Sequence, residues 1–284
     1  ASIGTLGTIG EGGKLLYPGS HTTPDPVSLH RMLAEMADNG YTHVAMEASS
    51  HGLDQYRLHG VRVKAAAFTN FTRDHLDYHK TEEEYFKAKA KLFSEFPLEA
   101  AVINVDDPKA EILQELCGEK NISFTIYGKT LDYWNGPRED QRFIINNITP
   151  FAQGQKISMS AEFSRKSYLG GLITSGKDET RELTVPLIGG FQIFNMLAAA
   201  GLVLADRKHS VEEVLALLPK LKGVPGRLEQ VAQLANGASV FIDYAHTPAA
   251  LANILRTLRP HTQNKLHVVF GCGGDRDAGK RPEM

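Results

Sequence analysis

Glu47, His75 and Lys89 are the side chains in this sequence best suited to acid–base, metal or phosphoryl chemistry, and all three fall within residues 43–93. Glu47 follows the apolar run Val44–Met46 and precedes Ser49, Ser50, His51 and Gly52, the pattern of a buried parallel strand handing over to a loop. In an open α/β sheet, the carboxyl ends of the strands form the edge where ligands bind. A carboxylate there can serve a ligand or a strand-end ion pair. A second handover follows at Val63–Phe68, with Thr69 and Asn70 at the strand end and Arg73, Asp74, His75, Asp77 and His79 just after. Two strand ends are thus expected to deliver polar groups to one rim. His75, Asp77 and His79 are residue types that bind metals, and equally the histidines of an ordinary loop.

The element that must position Lys89 has a readable start. Thr81 followed by Glu84 forms a capping box, so a helix is expected from about Glu82 to Phe96. At about 100° per residue, Glu83, Lys87, Lys91 and Glu95 share a face that reads as solvated. Tyr85, Phe86, Leu92, Phe93 and Phe96 mark the opposite arc, and Lys89 falls in its middle. Its stem can pack while its ammonium snorkels to water. Alternatively, it lines the same rim as Glu47 and His75, where desolvation and cationic neighbours lower its pKa and make the amine chemically usable.

The whole chain narrows the classes. Its 284 residues suffice for one large or two ordinary domains. With 31 Lys and Arg against 33 Asp and Glu, no bulk charge points to nucleic acid or an anionic membrane, so phosphate recognition must be local. Cys117 and Cys272 form no CxxC and suggest neither a disulfide framework nor a zinc cluster. No run approaches the ~18 apolar residues of a membrane span, and a cytoplasmic protein is the expectation. A chain that opens on ASIGTLGTIG reads as a fragment or a product cut from something longer. There is no G-x-x-x-x-G-K-[ST], and EGGKLL, with the wrong spacing, reads as a turn.

Several motifs in order, MEASSHGLDQYRL, FTNFTRDHLDYH, EEEYFKAKAKLF, GVPGRLE, DYAHTP and GCGGDRDAGKRP, resemble the Mur ligases, from about Gly4 to Met284. Among these, the enzymes that add the third residue of the peptidoglycan peptide are the most similar. The resemblance implies ATP-driven amide formation: the γ-phosphate passes to a carboxylate of UDP-MurNAc-L-Ala-D-Glu, and a diamino acid, meso-diaminopimelate or L-lysine, attacks the acyl phosphate. By the resemblance, Glu47 and His75 match magnesium-associated residues, and Lys89 matches a lysine carried as a carbamate made with CO2. Thr22, Thr23, Ser49, Gln55 and Arg57 match residues that hold the nucleotide-sugar peptide. Asn195, Arg227, Asp243 and His246 match residues facing ATP, although Gln192 stands where the family carries a first asparagine. Without its phosphate-binding loop, the chain alone is expected not to turn over. A related ligase acting on another acceptor, of the folylpolyglutamate or cyanophycin type, and a non-catalytic nucleotide-sugar binding module are the alternatives.

The expected fold is α/β: a mostly parallel sheet flanked by helices, with an attached antiparallel meander, and then the start of a Rossmann-like domain. A helix is expected over Val27–Asn39, with Leu29, Leu33 and Met36 inward, and a buried strand over Ala100–Val105 ending in Asn104, Asp106 and Asp107, which read as a strand-to-turn exit or, alternatively, as a nucleotide contact. Residues 110–185 alternate in short runs and read as the meander. Leu187–Leu204 contains Gln192 and Asn195 and reads as a core helix. Gly223–Gly226 marks the boundary between a central domain, 1–222, and a C-terminal part, 223–284. Beyond it a strand (Ser239–Tyr244), a helix (Pro248–Leu258) and a second strand (Leu266–Phe270) are expected. GCGGDRD has Arg276 in place of the third glycine of a dinucleotide fingerprint.

Overall fold

A computed structural model describes residues 1–19, 21–129, 139–165, 174–177, 180–272 and 280–284. The chain divides into two compact units, one of Ala1–Ala66, Asn70–Ala101 and Asp107–Ser123, the other of Ala67–Thr69, Val102–Asp106 and Phe124–Met284. In chain order the elements are β1 (Ser2–Gly4), β2 (Gly7–Ile9), β3 (Leu15–Tyr17), α1 (Pro26–Asp38), β4 (Ala45–Met46), α2 (Ser50–Asp54), β5 (Ala65–Phe68), α3 (Leu76–His79), α4 (Glu82–Ser94), β6 (Ala100–Asn104) and α5 (Ala110–Glu119). They continue with β7 (Ser123–Gly128), β8 (Glu139–Phe151), β9 (Gly154–Arg165), β10 (Thr174–Lys177), β11 (Arg181–Val185), α6 (Gly190–Leu204), α7 (Val211–Leu217), β12 (Glu229–Gln233), β13 (Ser239–Ile242), α8 (Pro248–Leu258) and α9 (Lys280–Glu283).

The first unit carries a four-stranded sheet in the order β3-β2-β1-β4, with β1 parallel to β4 and Ile3 opposite Met46. Its core gathers Ile3, Leu29, Met36, Leu53 and Leu58, with Leu33, Met46 and Phe96 packed against them. Helix α1 starts where Asp25 accepts the Ser28 amide and Pro26 occupies the first turn, the position where proline loses nothing. A seven-stranded sheet runs β10-β9-β8-β7-β6-β5, with β11 also on β9. In it β7 and β8 are parallel, whereas β8, β9, β10 and β11 pair antiparallel. The core of the second unit includes Val102, Tyr127, Phe143, Ile157, Ile193 and Leu197. Helix α6 reaches it closely at Gly201, where an added Cβ would stand 2.6 Å from the Val102 side chain. At the start of α6 the buried Gln155 amide donates to the Leu187 and Gly189 carbonyls, while His261 accepts the Gly189 amide and meets the Phe151 carbonyl.

The α/β class and the antiparallel extension match expectation, as do α1, α4, α6 and α8, and four expectations need correction. First, β4 is parallel but not buried: it is two residues long, lies at the sheet edge and leaves Ala45 exposed. Second, β4 belongs to the four-stranded sheet and β5 to the seven-stranded one, so the two strand ends do not share a rim of one sheet. Third, residues 110–185 open with α5 and β7 and become antiparallel only from β8. The spacing of Leu113 and Cys117, both fully buried, is helical and was masked by the polar residues around them. Fourth, Leu266–Phe270 forms no strand, and Val269 is fully exposed. The preceding β13 pairs antiparallel with β12, and this segment has no strand partner among the described residues. Arg276 lies outside the described residues.

Candidate active site

Thr23 is the hub of the first unit. It is fully buried, its hydroxyl donates to the Glu47 carbonyl at 2.8 Å, and it accepts both the Ser49 amide and the Ser49 hydroxyl at 3.0 Å. Ser49 in turn caps α2 by accepting the Gly52 amide at 3.0 Å. At Gly52 a Cβ would meet the Thr23 side chain at 2.8 Å, so the absent side chain is what lets α2 seat on this hub. Arg57 Nη1 donates to the Thr23 carbonyl at 2.9 Å, and Arg57 Nε and Nη2 donate to Gln55 Oε1 at 3.0 and 2.6 Å. Thr5 donates to Glu47 Oε2 at 3.0 Å and pairs with the Thr22 hydroxyl at 3.1 Å. The Glu47 carboxylate lies over Gly4, where a Cβ would be 2.5 Å from Oε1. Thr22, Thr23, Glu47, Ser49, Gln55 and Arg57 therefore form one connected group.

His75 and Lys89 stand in a second group of the same unit, joined to the first through the neighbouring Ser50. The Ser50 hydroxyl bonds buried His79 Nε2 at 3.0 Å. His51 packs against His75 and His79 with ring centroids 4.9 and 5.4 Å apart, and Tyr85 stands 5.7 Å from His75 and 5.3 Å from His79. Lys89 Nζ lies 5.1 Å over the Tyr85 ring. Burial holds the Lys89 ammonium below the ordinary lysine range, and Asp74 pulls it partly back. His79 and His51 are lowered as well, first by burial and then by a neighbouring histidine. His75 caps α3 with a left-handed backbone, φ 53°, stabilised by its amide donating to Asp74 Oδ1 at 2.8 Å. Among the described residues, no three His, Cys, Asp or Glu side chains cluster as a metal ion needs.

The local sequence explains α4 with two adjustments. Thr81 accepts the Glu84 amide as half of the expected capping box, but Glu84 pairs with Lys87 at 2.8 Å. Lys91 is not on a solvated face: its ammonium bonds Asp54 at 2.8 Å and lies 5.0 Å over the Tyr56 ring. The sequence reading missed Thr5, Asp54, Tyr78 and Lys91. Thr5 lies 42 positions from the glutamate it bonds, Asp54 and Lys91 needed the packing of α2 on α4 to become visible, and Tyr78 reaches Asp54 from α3.

The residues matched to ATP behave differently. Asp243 accepts the Leu228 and Ala245 amides at 2.9 and 2.8 Å and so braces two turns. Arg227 lies 5.5 Å over the exposed Tyr244 ring, and His246 Nδ1 meets the Tyr244 carbonyl at 3.0 Å. Asn195 is exposed on α6, and its amide donates to the buried Gln192 at 3.2 Å. Asn104, Asp106 and Asp107 brace backbone amides or carbonyls at the end of β6. No helix among the described residues is long and apolar enough to cross a membrane.

Residues 1–203 match the family described as Mur ligase middle domain, and residues 226–284 match the Mur ligase, glutamate ligase domain. The sequence is 43% identical over 286 residues to the UDP-N-acetylmuramoyl-L-alanyl-D-glutamate--2,6-diaminopimelate ligase of Mesorhizobium japonicum, covering all of this chain and 54% of that one. It is 44% identical over 287 residues to the ligase of the same name from Bradyrhizobium diazoefficiens, with the same coverage. A solved structure of a ligase of this name is similar over the whole chain and 52% of its own, with 34% identity and a TM-score of 0.72. The chain thus spans about half the length of the curated relatives it matches. On this agreement of sequence and fold, the chain belongs to the Mur ligase family.

Proposed function

We propose that this chain is part of a cytoplasmic ATP-dependent ligase of peptidoglycan synthesis that joins meso-diaminopimelate to UDP-MurNAc-L-Ala-D-Glu, with a central domain over 1–222 and a C-terminal domain beginning at 223. The observation that carries this is the single connected group of Thr22, Thr23, Glu47, Ser49, Gln55 and Arg57. Hydroxyls, an amide and a guanidinium suit the phosphate and carboxylate oxygens of a nucleotide-sugar peptide. The names of the relatives favour diaminopimelate over L-lysine.

In this reading the γ-phosphoryl group of ATP passes to one of the two free carboxylates of the D-Glu residue, leaving ADP. The amine then attacks the acyl phosphate, forms the amide, loses a proton and expels phosphate. Arg57 and the hydroxyls hold the acceptor in register, the part of catalysis that positioning supplies. Arg227, His246 and Asn195 are assigned to ATP, with Asp243 shaping the turns that present the first two.

Magnesium, when bound, would neutralise charge on the phosphoryl oxygens. With Lys89 as an ammonium, the trio of Glu47, His75 and Lys89 does not fit a hard cation, because Glu47 is its one oxygen donor. N6-carboxylation of Lys89 by CO2 would add a second anionic donor, and the burial that lowers Lys89 favours the neutral amine this reaction needs. A carbamate signal after 13C-bicarbonate labelling, lost in Lys89→Arg, is the expected outcome. Unlabelled protein would refute the modification.

The function is tested by phosphate release from ATP in a full-length protein carrying this chain. Release that requires both UDP-MurNAc-L-Ala-D-Glu and meso-diaminopimelate supports it. Release with neither, or only with an unrelated acceptor such as a folate, contradicts it.

A further inference from the structure

Behind Gln55 and Arg57 runs a line of polar contacts with no part in the recognition proposed so far. Lys91 Nζ donates to Asp54 Oδ1 at 2.8 Å, the Tyr78 hydroxyl donates to Asp54 Oδ2 at 3.0 Å, and Gln55 Nε2 donates to the Tyr78 oxygen at 3.2 Å. Gln55 Oε1 then accepts two N–H groups of Arg57, whose Nη1 donates to the Thr23 carbonyl. Donor chemistry fixes the direction of every link. A guanidinium has only N–H groups, so Gln55 turns its oxygen to Arg57 and its NH2 to Tyr78. A carboxylate only accepts, so Tyr78 gives its proton to Asp54 and accepts from Gln55. Flipping the Gln55 amide would set N–H against N–H at Arg57. Without the Tyr78 hydroxyl, the group that holds the Gln55 NH2 in place is gone.

The backbone between the two arms is also constrained. Tyr56 adopts φ 55°, a left-handed conformation that a bulky side chain rarely takes, and Lys91 covers its ring at 5.0 Å. Of the five Arg57 N–H groups, three are engaged within this network, leaving two directed elsewhere.

We propose that Tyr78, Asp54 and Lys91 are positioning residues for Arg57: hydrogen bonds that run from Arg57 through Gln55 and Tyr78 to Asp54, where Lys91 donates from the other side, lock the Gln55 amide and aim the two remaining guanidinium N–H groups at an oxyanion of the bound ligand. The oxyanion is a phosphate or a carboxylate. The inference rests on the reading of Arg57 as a ligand-binding residue. It adds α3 and α4 to the machinery that prepares the site, at residues that do not touch the ligand.

The test uses the full-length protein carrying this chain, with Tyr78→Phe, Lys91→Ala and Lys91→Arg beside the wild type. Two quantities are read: the Arg57 Nε–H nuclear magnetic resonance signal, assigned by its loss in Arg57→Lys, and calorimetric affinity for UDP-MurNAc-L-Ala-D-Glu and for UDP-N-acetylglucosamine. Tyr78→Phe and Lys91→Ala are expected to move the Arg57 signal and to weaken binding about five- to tenfold. Lys91→Arg should restore both, which a loss of general stability would not produce. Equal weakening for both ligands identifies a phosphate, and weakening confined to the peptide-bearing one identifies a carboxylate. A wild type that binds, with Tyr78→Phe within twofold of it and the Arg57 signal unmoved, overturns the positioning role alone. A folded wild type that binds neither ligand overturns the Arg57 reading and the positioning role with it.

Discussion

The polar groups around Thr23 and those around Asp243 came from the sequence by the same route, yet the fold uses them differently. Around Thr23, side chains bond one another as well as the backbone: a threonine holds a serine, a threonine holds a glutamate, and an arginine holds a glutamine. Asp243 instead spends both carboxylate oxygens on backbone amides, while Arg227 and His246 stay exposed. The first arrangement fixes side chains in advance of a ligand, at low cost in ordering when one arrives. The second fixes a turn, and its exposed side chains lie against Tyr244 rather than against one another. In the proposed function, the connected side chains would receive the acceptor and the braced loop would be completed when ATP binds.

The comparison can be broken by stability measurements. The largest effect is expected for Thr23→Val, which keeps the shape but deprives the Glu47 carbonyl and the Ser49 amide and hydroxyl of their partner. A loss of about 3 kcal/mol in urea unfolding is expected. Asp243→Ala should cost less, about 1 kcal/mol, because its turns lie near solvent. Equal costs would remove the distinction between the two regions.

A smaller effect follows pH. The Lys91 hydrogen bond, with help from Tyr78, holds Asp54 below its ordinary value. A carboxylate lowered on folding contributes stability above its unfolded pKa and loses it as pH falls through the folded value. The gap in urea midpoint between wild type and Asp54→Asn should therefore be full above about pH 4 and close below it. A gap independent of pH would show that the Asp54 charge is not what ties α2 to α4. Lys91 is raised by the same bond, so its contribution is complete below about pH 10 and fades only above that, and neutral-pH comparisons are unaffected by it.

The sequence was most informative where periodicity and caps act locally. Helices α1, α4 and α8 were legible because Pro26, Thr81 and Pro248 mark their starts and apolar spacing marks the inward faces of α1 and α4, and α6 because an apolar run interrupted by Gln192 and Asn195 reads as a core helix. Residues joined across long separations were not. The partnership of Thr5 with Glu47, and the burial of Lys91 against Asp54, depend on parallel pairing of β1 with β4 and on packing of α2 against α4. Lys91 read as solvated because charge periodicity within one helix says nothing about the helix beside it. Leu266–Phe270 read as a strand because apolar composition announces a willingness to pair but not the presence of a partner.

The most direct measurement is a calorimetric titration of UDP-MurNAc-L-Ala-D-Glu into the full-length protein carrying this chain and into its Arg57→Lys variant. Saturable binding by the wild type, weakened at least about tenfold by the lysine that keeps the charge but loses the planar fork, is the expected result. Equal affinity in the two proteins, or no binding by a folded wild type, would contradict the assignment of the Thr23–Arg57 network to ligand recognition.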